Sequence, residues 1–148
     1  MYDPLQNHVL IAVLIAWLLA QSLKVPIFYL QKHRWNWALM FSTGGMPSSH
    51  SALIVSAAAS IGFNIGLNSP LFALAVAIAM IIVYDATGIR RQAGLHAQKI
   101  NILIDELLKG HPISDKQLKE VLGHSPLEVV GGVVLGIAVA FLVWWFWR

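Results

Sequence analysis

Four apolar runs dominate this chain, each close to the length a helix needs to cross a lipid bilayer. Residues 9–23, 49–66, 71–84 and 127–147 carry almost no charge. A bilayer core takes about 20 apolar residues per helix. In that solvent every backbone N–H and C=O must be satisfied internally, so runs of this kind become helices. Charge is scarce elsewhere too. Only 11% of residues are charged and 57% are hydrophobic, against about a quarter charged in soluble domains. The sequence predicts an all-α membrane protein, residues 1–148 as one domain, with four transmembrane helices and short interfacial helices on the cytoplasmic side. Cysteine is absent, which excludes disulfides and thiolate metal sites. Asp3 is the only charge ahead of the first run and no small-residue cleavage site follows it. That predicts a retained helix and not a signal peptide.

The runs differ in character. The first is short at residues 9–23; Leu5 at one end or residues 25–30 at the other make up the length, putting Lys24 at the membrane surface or inside the polar end of the bundle. Residues 31–37 then form a polar, aromatic connector with Lys32, His33, Arg34, Trp35 and Trp37, a composition suited to the headgroup level. The second run is rich in small residues (Ser56, Ala57, Ala58, Ala59, Ser60, Gly62), which let helices pack closely in lipid, so it belongs at the centre. Residues 64–70 make an uncharged turn. In the fourth run Gly132 and Gly136 have small-xxx-small spacing, a packing signal within the bundle or between the protomers of a homodimer.

Residues 85–126 are the longest non-spanning stretch. Ile100, Leu103, Ile104, Leu107 and Leu108 recur at helical spacing, predicting an amphipathic helix over residues 95–108. Gly110 and Pro112 end it, and Ser114 with Gln117 opens a second short helix that stops at Gly123. With four spans, the connector at 24–45 and the region 85–126 share one side. Every Lys and Arg except Arg148 falls there, so the positive-inside rule makes that side cytoplasmic, with both termini opposite. This is the topology of a cell (inner) membrane protein.

Three polar clusters lie on that face, each where a span begins or ends. The first is Gly44-Gly45-Met46-Pro47-Ser48-Ser49-His50-Ser51. Its glycines permit a tight turn close to a ligand, and Pro47 suits the first position of a helix. The N–H groups of Ser48, Ser49 and His50 then sit at a helix N-terminus that favours an anion. The second cluster, from Asp85 to Arg91, offers Arg90 and Arg91 as bidentate clamps for phosphate oxygens. Asp85 is expected to pair with an arginine and hold the loop. In the third, Gly123-His124-Ser125-Pro126-Leu127-Glu128, His124 and Glu128 are four apart and share a helix face. A carboxylate bonded to one ring nitrogen fixes the tautomer and raises the nucleophilicity of the other. His50 is then available as an acid, and the chemistry implied is that of phosphate. Metal ligation by His50, Asp85, His124 and Glu128 fits by residue type, but their spacing matches no compact site; no metal and no other cofactor is expected.

These three clusters, taken in order, resemble the short, divergent membrane branch of the type 2 phosphatidic acid phosphatase and vanadium haloperoxidase superfamily. Pro47-Ser48-Ser49-His50 is similar to its Pro-Ser-Gly-His motif, and the likeness runs essentially end to end. The resemblance implies metal-independent phosphomonoester or pyrophosphate hydrolysis through a phosphohistidine. It implies His124 as nucleophile, His50 as leaving-group acid and Glu128 as the carboxylate that orients the nucleophile. Arg90 and Lys24 become the phosphate holders. The chain departs from the pattern in three places. Ser49 replaces a glycine, Gln31 stands where the lysine motif has arginine, and the third motif is split. Arg90 and His96 keep the arginine-to-histidine spacing, but Ile100 occupies the aspartate position. His96 is therefore an alternative nucleophile, and His124, which has its carboxylate, is preferred. The expected partners are the bilayer and a lipid phosphate, first phosphatidylglycerophosphate and second undecaprenyl pyrophosphate, with no nucleic acid. The rival from another class is a non-enzymatic protein that binds anionic lipid through the same basic face.

Overall fold

The computed structural model of the chain describes residues 6–107 and 124–147. The side chains of Ile89, Arg90, Arg91, Asp105 and Glu106 lie outside that description, as do the helix expected from Ser114 to Gly123 and the terminal Arg148. Five α-helices occur among the described residues: α1 His8–Lys32, α2 Ser49–Ile65, α3 Pro70–Thr87, α4 Ile89–Leu107 and α5 Pro126–Phe146. A short 3₁₀ turn, Trp37–Phe41, joins α1 to the loop before α2. No strand occurs among the described residues.

α1 is longer than the apolar run that predicts it. The Asn7 side chain caps its start by accepting the Leu10 N–H at 3.0 Å. The helix then runs through Pro26 and ends where His33 takes a left-handed conformation, its N–H bonded to the Tyr29 carbonyl. Proline inside a helix removes one N–H, a loss that membrane helices tolerate when neighbours cover the freed carbonyl. Ala12, Ala16, Ala20 and Lys24 are all buried. They recur every four residues, so they form one line along the helix. The alanines let the partner helices close in, and Lys24 is carried inside because it continues the same line.

α2 is the central helix and packs against α1, α3 and α5. The α2–α5 seam is made of small groups. A Cβ added at Gly132 would fall against the Ser48 carbonyl oxygen and within 2.9 Å of the Ser51 Cβ. One added at Gly136 would lie 2.6 Å from the Ala52 carbonyl oxygen. Both glycines are thus used for close packing inside the chain. On the other flank of α5, Val139 and Val143 meet Ala12 and Ala16 of α1 in the apolar core.

α3 starts on the Ser69 cap, with Pro70 in its first turn. It runs on to Thr87, past the Tyr84 boundary read from hydropathy. Polarity does not stop a helix; Gly88 is the first breaker the chain meets. Asp85 therefore sits in the last turn of α3 and not in a loop. For the same reason α4 begins at Ile89, earlier than the apolar periodicity suggests.

Three helical stretches are long and apolar enough to cross a membrane: α1, the run Pro70–Ile104 that α3 opens, and α5. α2 is apolar but has only 17 residues. Large apolar side chains on these helices face outward, among them Leu18, Leu74, Met80, Ile81 and Val134, each more than half exposed. A soluble protein rarely tolerates so much contiguous apolar surface; lipid requires it.

Candidate active site

The starts of α2 and α5 meet, and the site is built on that junction. Ser48 caps α2: its Oγ accepts the Ser51 N–H at 3.3 Å and the Ser51 hydroxyl at 3.0 Å. The helix therefore begins at Ser49, and Pro47 stands outside it, before the cap. This corrects the expectation that Pro47 opens the helix. Nor is the Ser48 N–H free for an anion, since it donates to the Glu128 carbonyl of α5 at 2.9 Å. That bond ties the first polar cluster to the third. Ser48 and Ser49 are both buried.

α5 opens on a capping box. The Ser125 Oγ accepts the Glu128 N–H, and the Glu128 Oε2 accepts the Ser125 N–H at 3.2 Å. The same Oε2 lies 2.9 Å from Nδ1 of His124. With a carboxylate as acceptor, Nδ1 carries the proton and Nε2 carries the lone pair. His124 is almost fully buried, and its Nε2 has no hydrogen-bond partner. An orphaned polar atom at such burial is uncommon and calls for a reason.

His124 lines a cavity of about 250 Å3 together with His50, Asp85, Ala86, Ile81 and Ile82. The two imidazole rings are 6.1 Å apart between centroids and tilted by 59°. The first residues of α2 and α5 and the last turn of α3 thus bring His50, His124 and Asp85 to one space. Among the described residues no three His, Asp or Glu side chains converge closely enough to hold a metal ion.

Lys24 is elsewhere. Its side chain is buried and Nζ donates to the Ser42 carbonyl at 2.7 Å. It lines a second cavity of about 440 Å3 with Glu128, Gln31 and Ser125, walled by Ile27, Phe28, Leu39 and Met46. The pair His124–Glu128 stands between the two spaces, the imidazole on one and the carboxylate on the other. His96 is exposed on α4 and does not line the cavity of His50 and His124. Arg90 and Arg91 fall in the first turn of α4, directly after α3 and Asp85.

Two contributors escape a reading of the motifs. Ser125 holds the orienting carboxylate, and its Ser-x-x-Glu spacing is a recognisable capping signature. Ser42 holds Lys24 through a main-chain oxygen, which leaves no mark in the sequence.

The description of the Divergent PAP2 family matches residues 5–139. A protein of Bacillus subtilis (strain 168), the "Uncharacterized membrane protein YuiD", is 39% identical over 155 aligned positions, which cover 97% of this chain and 98% of the relative. No solved structure matches the chain. With one family description spanning its helices and both histidine clusters, this membrane protein belongs to the Divergent PAP2 family.

Proposed function

We propose that the protein is a lipid phosphate phosphatase working through a phosphohistidine on His124. One observation carries this reading: Glu128 holds Nδ1 of His124, and the opposite nitrogen is buried, unbonded and turned to a cavity shared with His50. The Nε2 lone pair attacks phosphorus, and the bond from phosphorus to the lipid oxygen breaks. His50 gives its proton to that oxygen, so the alcohol leaves neutral. Water then attacks the phosphohistidine, with His50 taking its proton, and inorganic phosphate departs. Glu128 stays ionised and stabilises the His124 ring while it carries the phosphoryl group. Arg90 and Arg91, at the start of α4 beside Asp85, complete the phosphate site with the first turn of α2.

In this reading α2 is a fourth span. Its 17 residues give about 26 Å of helix at 1.5 Å per residue, near the roughly 30 Å of the hydrocarbon core. The basic connector and α4 face the cytoplasm, and so does the site. A lipid made on that face is the natural substrate, so phosphatidylglycerophosphate comes first and undecaprenyl pyrophosphate second.

The test is phosphate release from phosphatidylglycerophosphate by the detergent-purified protein with EDTA present. The wild type is expected to turn over, and His50→Ala and His124→Ala to lose turnover while keeping their thermal transition. Full activity in His50→Ala refutes the mechanism. Inertness toward both lipids, with or without magnesium, leaves the anionic-lipid-binding protein as the better reading.

A further inference from the structure

The cavity that His50 and His124 share is polar at one end only. Beside Asp85 its lining comes from Ile81, Ile82 and Ala86, all on α3. Ala86 is buried, whereas Ile81 is 69% exposed. One residue thus walls the cavity and also stands on the outer surface of the helices, so the cavity reaches that surface along α3. A phosphate site open only to water has no use for two isoleucines at its edge.

The apolar edge continues along the helix. Leu74, Ile78, Ile81 and Ile82 follow one another within spacings of three and four, and Asp85 continues the series. They therefore share one side of α3. Ala75, Ala79 and Ala86 are buried and mark the neighbouring side, turned to the bundle. Leu74, Ile78 and Ile81 are exposed, on a helix that opens a stretch long and apolar enough to cross a membrane. From Leu74 to Ile82 the helix rises about 12 Å at 1.5 Å per residue, most of the roughly 15 Å depth of one leaflet. An acyl chain laid on this stripe leads from the bilayer interior to the two imidazoles and meets no charge before Asp85. Lipid tails are as apolar as leucine, so the stripe adds little binding energy. It supplies a path, and the polar end of the cavity supplies the affinity.

We infer that the cavity takes its phosphate ester from the bilayer by way of α3, with the acyl chain along Leu74, Ile78 and Ile81 and its first carbons against Ile82 and Ala86. Ile81 and Ala86 then decide which esters enter. Ile81 stands at the opening, and at Ala86 a larger side chain would fill the space between the chain and the histidines. Chain length beyond the first carbons is not selected, because the rest of the chain stays in lipid. The inference rests on the proposed reading of the histidine cavity as a phosphate site, though not on turnover there.

The experiment uses the full chain in detergent and a phosphatidic acid with a photoreactive diazirine in its acyl chain, the labelled residues being located by mass spectrometry. Saturable labelling is expected at Leu74, Ile78 or Ile81, displaced equally by unlabelled phosphatidic acids of medium and long chain. Met80, 68% exposed but on another side of α3, is the reference for bulk lipid, and its labelling should neither saturate nor be displaced. Ile81→Trp should weaken the saturable labelling at Leu74 and Ile78 about tenfold, the scale of one overpacked contact; Met80→Trp should leave it unchanged. If Ile81→Trp fails to fold, the contrast between Ile78 and Met80 in the wild type still decides. Equal labelling on both sides of α3 overturns the inference. So does protection of the whole stripe at every lipid concentration, which means that a second copy of the chain covers it. Displacement by glycerol 3-phosphate as strong as by phosphatidic acid overturns it too, assigning the cavity to an ester from water. Stripe labelling in a protein that releases no phosphate refutes the phosphatase alone; phosphate release without preference for the stripe refutes this inference alone.

Discussion

Adding one methyl group at Gly132 should damage this protein, and adding it at Gly131 should not. At Gly132 the new Cβ falls against the Ser48 carbonyl oxygen and 2.9 Å from the Ser51 Cβ. Carbon atoms prefer about 3.5 Å or more, so relieving the Ser51 contact alone moves α5 away from α2 by roughly 0.6 Å, and the closer Ser48 carbonyl oxygen asks for more. Neither obstacle can swing aside, because one is backbone and the other is the first carbon of a buried side chain. The bond from the Ser48 N–H to the Glu128 carbonyl, now 2.9 Å, stretches toward the limit of a useful hydrogen bond. Overpacking costs about 1–3 kcal/mol and the weakened bond about 0.5–1.5 kcal/mol. Alanine returns about 1 kcal/mol of helix propensity. The net loss is about 0.5–3.5 kcal/mol. At Gly131 the same methyl meets the terminal carbon of Met46 at 3.3 Å and the Pro47 Cβ at 3.6 Å. A methionine tip moves cheaply, so the propensity gain survives. Thermal unfolding of Gly131→Ala and Gly132→Ala in one detergent should then separate by on the order of 5 °C, with Gly132→Ala the lower. Equal transitions, or a more stable Gly132→Ala, refute the close seam between α2 and α5.

Ser48→Ala removes the α2 cap and should cost about 0.5–2 kcal/mol in the same unfolding assay, whereas Ser49→Ala, past the cap, should cost less. Glu128→Gln keeps an oxygen for the His124 and Ser125 N–H groups but loses the charge that, in the proposed mechanism, stabilises the phosphorylated imidazole. Phosphate release should fall about 100-fold or more with little change in the unfolding transition. Brief incubation of wild-type protein with radiolabelled lipid phosphate, followed by an alkaline quench, should leave label on the protein. That label should be absent from His124→Ala and undiminished in His96→Ala.

Much of this arrangement is legible in the residues. Small-residue spacing places α2 at the centre, and the every-fourth line from Ala12 to Lys24 explains a buried lysine. The Ser-x-x-Glu spacing at Ser125 was available too, although it is masked by the more obvious His124–Glu128 pair. Pro47 misleads because proline suits the position before a cap as well as the first helical turn, and the Ser48 hydroxyl decides between them. The limits of α3 and α4 depend on where a breaker stands, so hydropathy sets them wrongly by a few residues. The division into two cavities is not written in any motif. The close approach of α5 to α2 at Gly132 and the bond from Lys24 to the Ser42 main-chain oxygen leave no such mark either.

Glu128 ties these observations together, because one side chain has a structural task and, in the proposed mechanism, a chemical one, both through the same oxygen. Its Oε2 closes the α5 capping box and also orients His124, while its backbone carbonyl receives Ser48. Substituting alanine would therefore uncap a helix and release the histidine together, and lost activity would say nothing about mechanism. Glutamine separates the two tasks, since the cap needs an acceptor and the proposed chemistry needs a charge. The histidine is placed by a helix start that must form for the bundle to pack at all. A site built this way is ready before substrate arrives. The orientation of His124 is then supplied by folding and not by binding, which is the economical way to hold a group that the proposed mechanism makes the nucleophile.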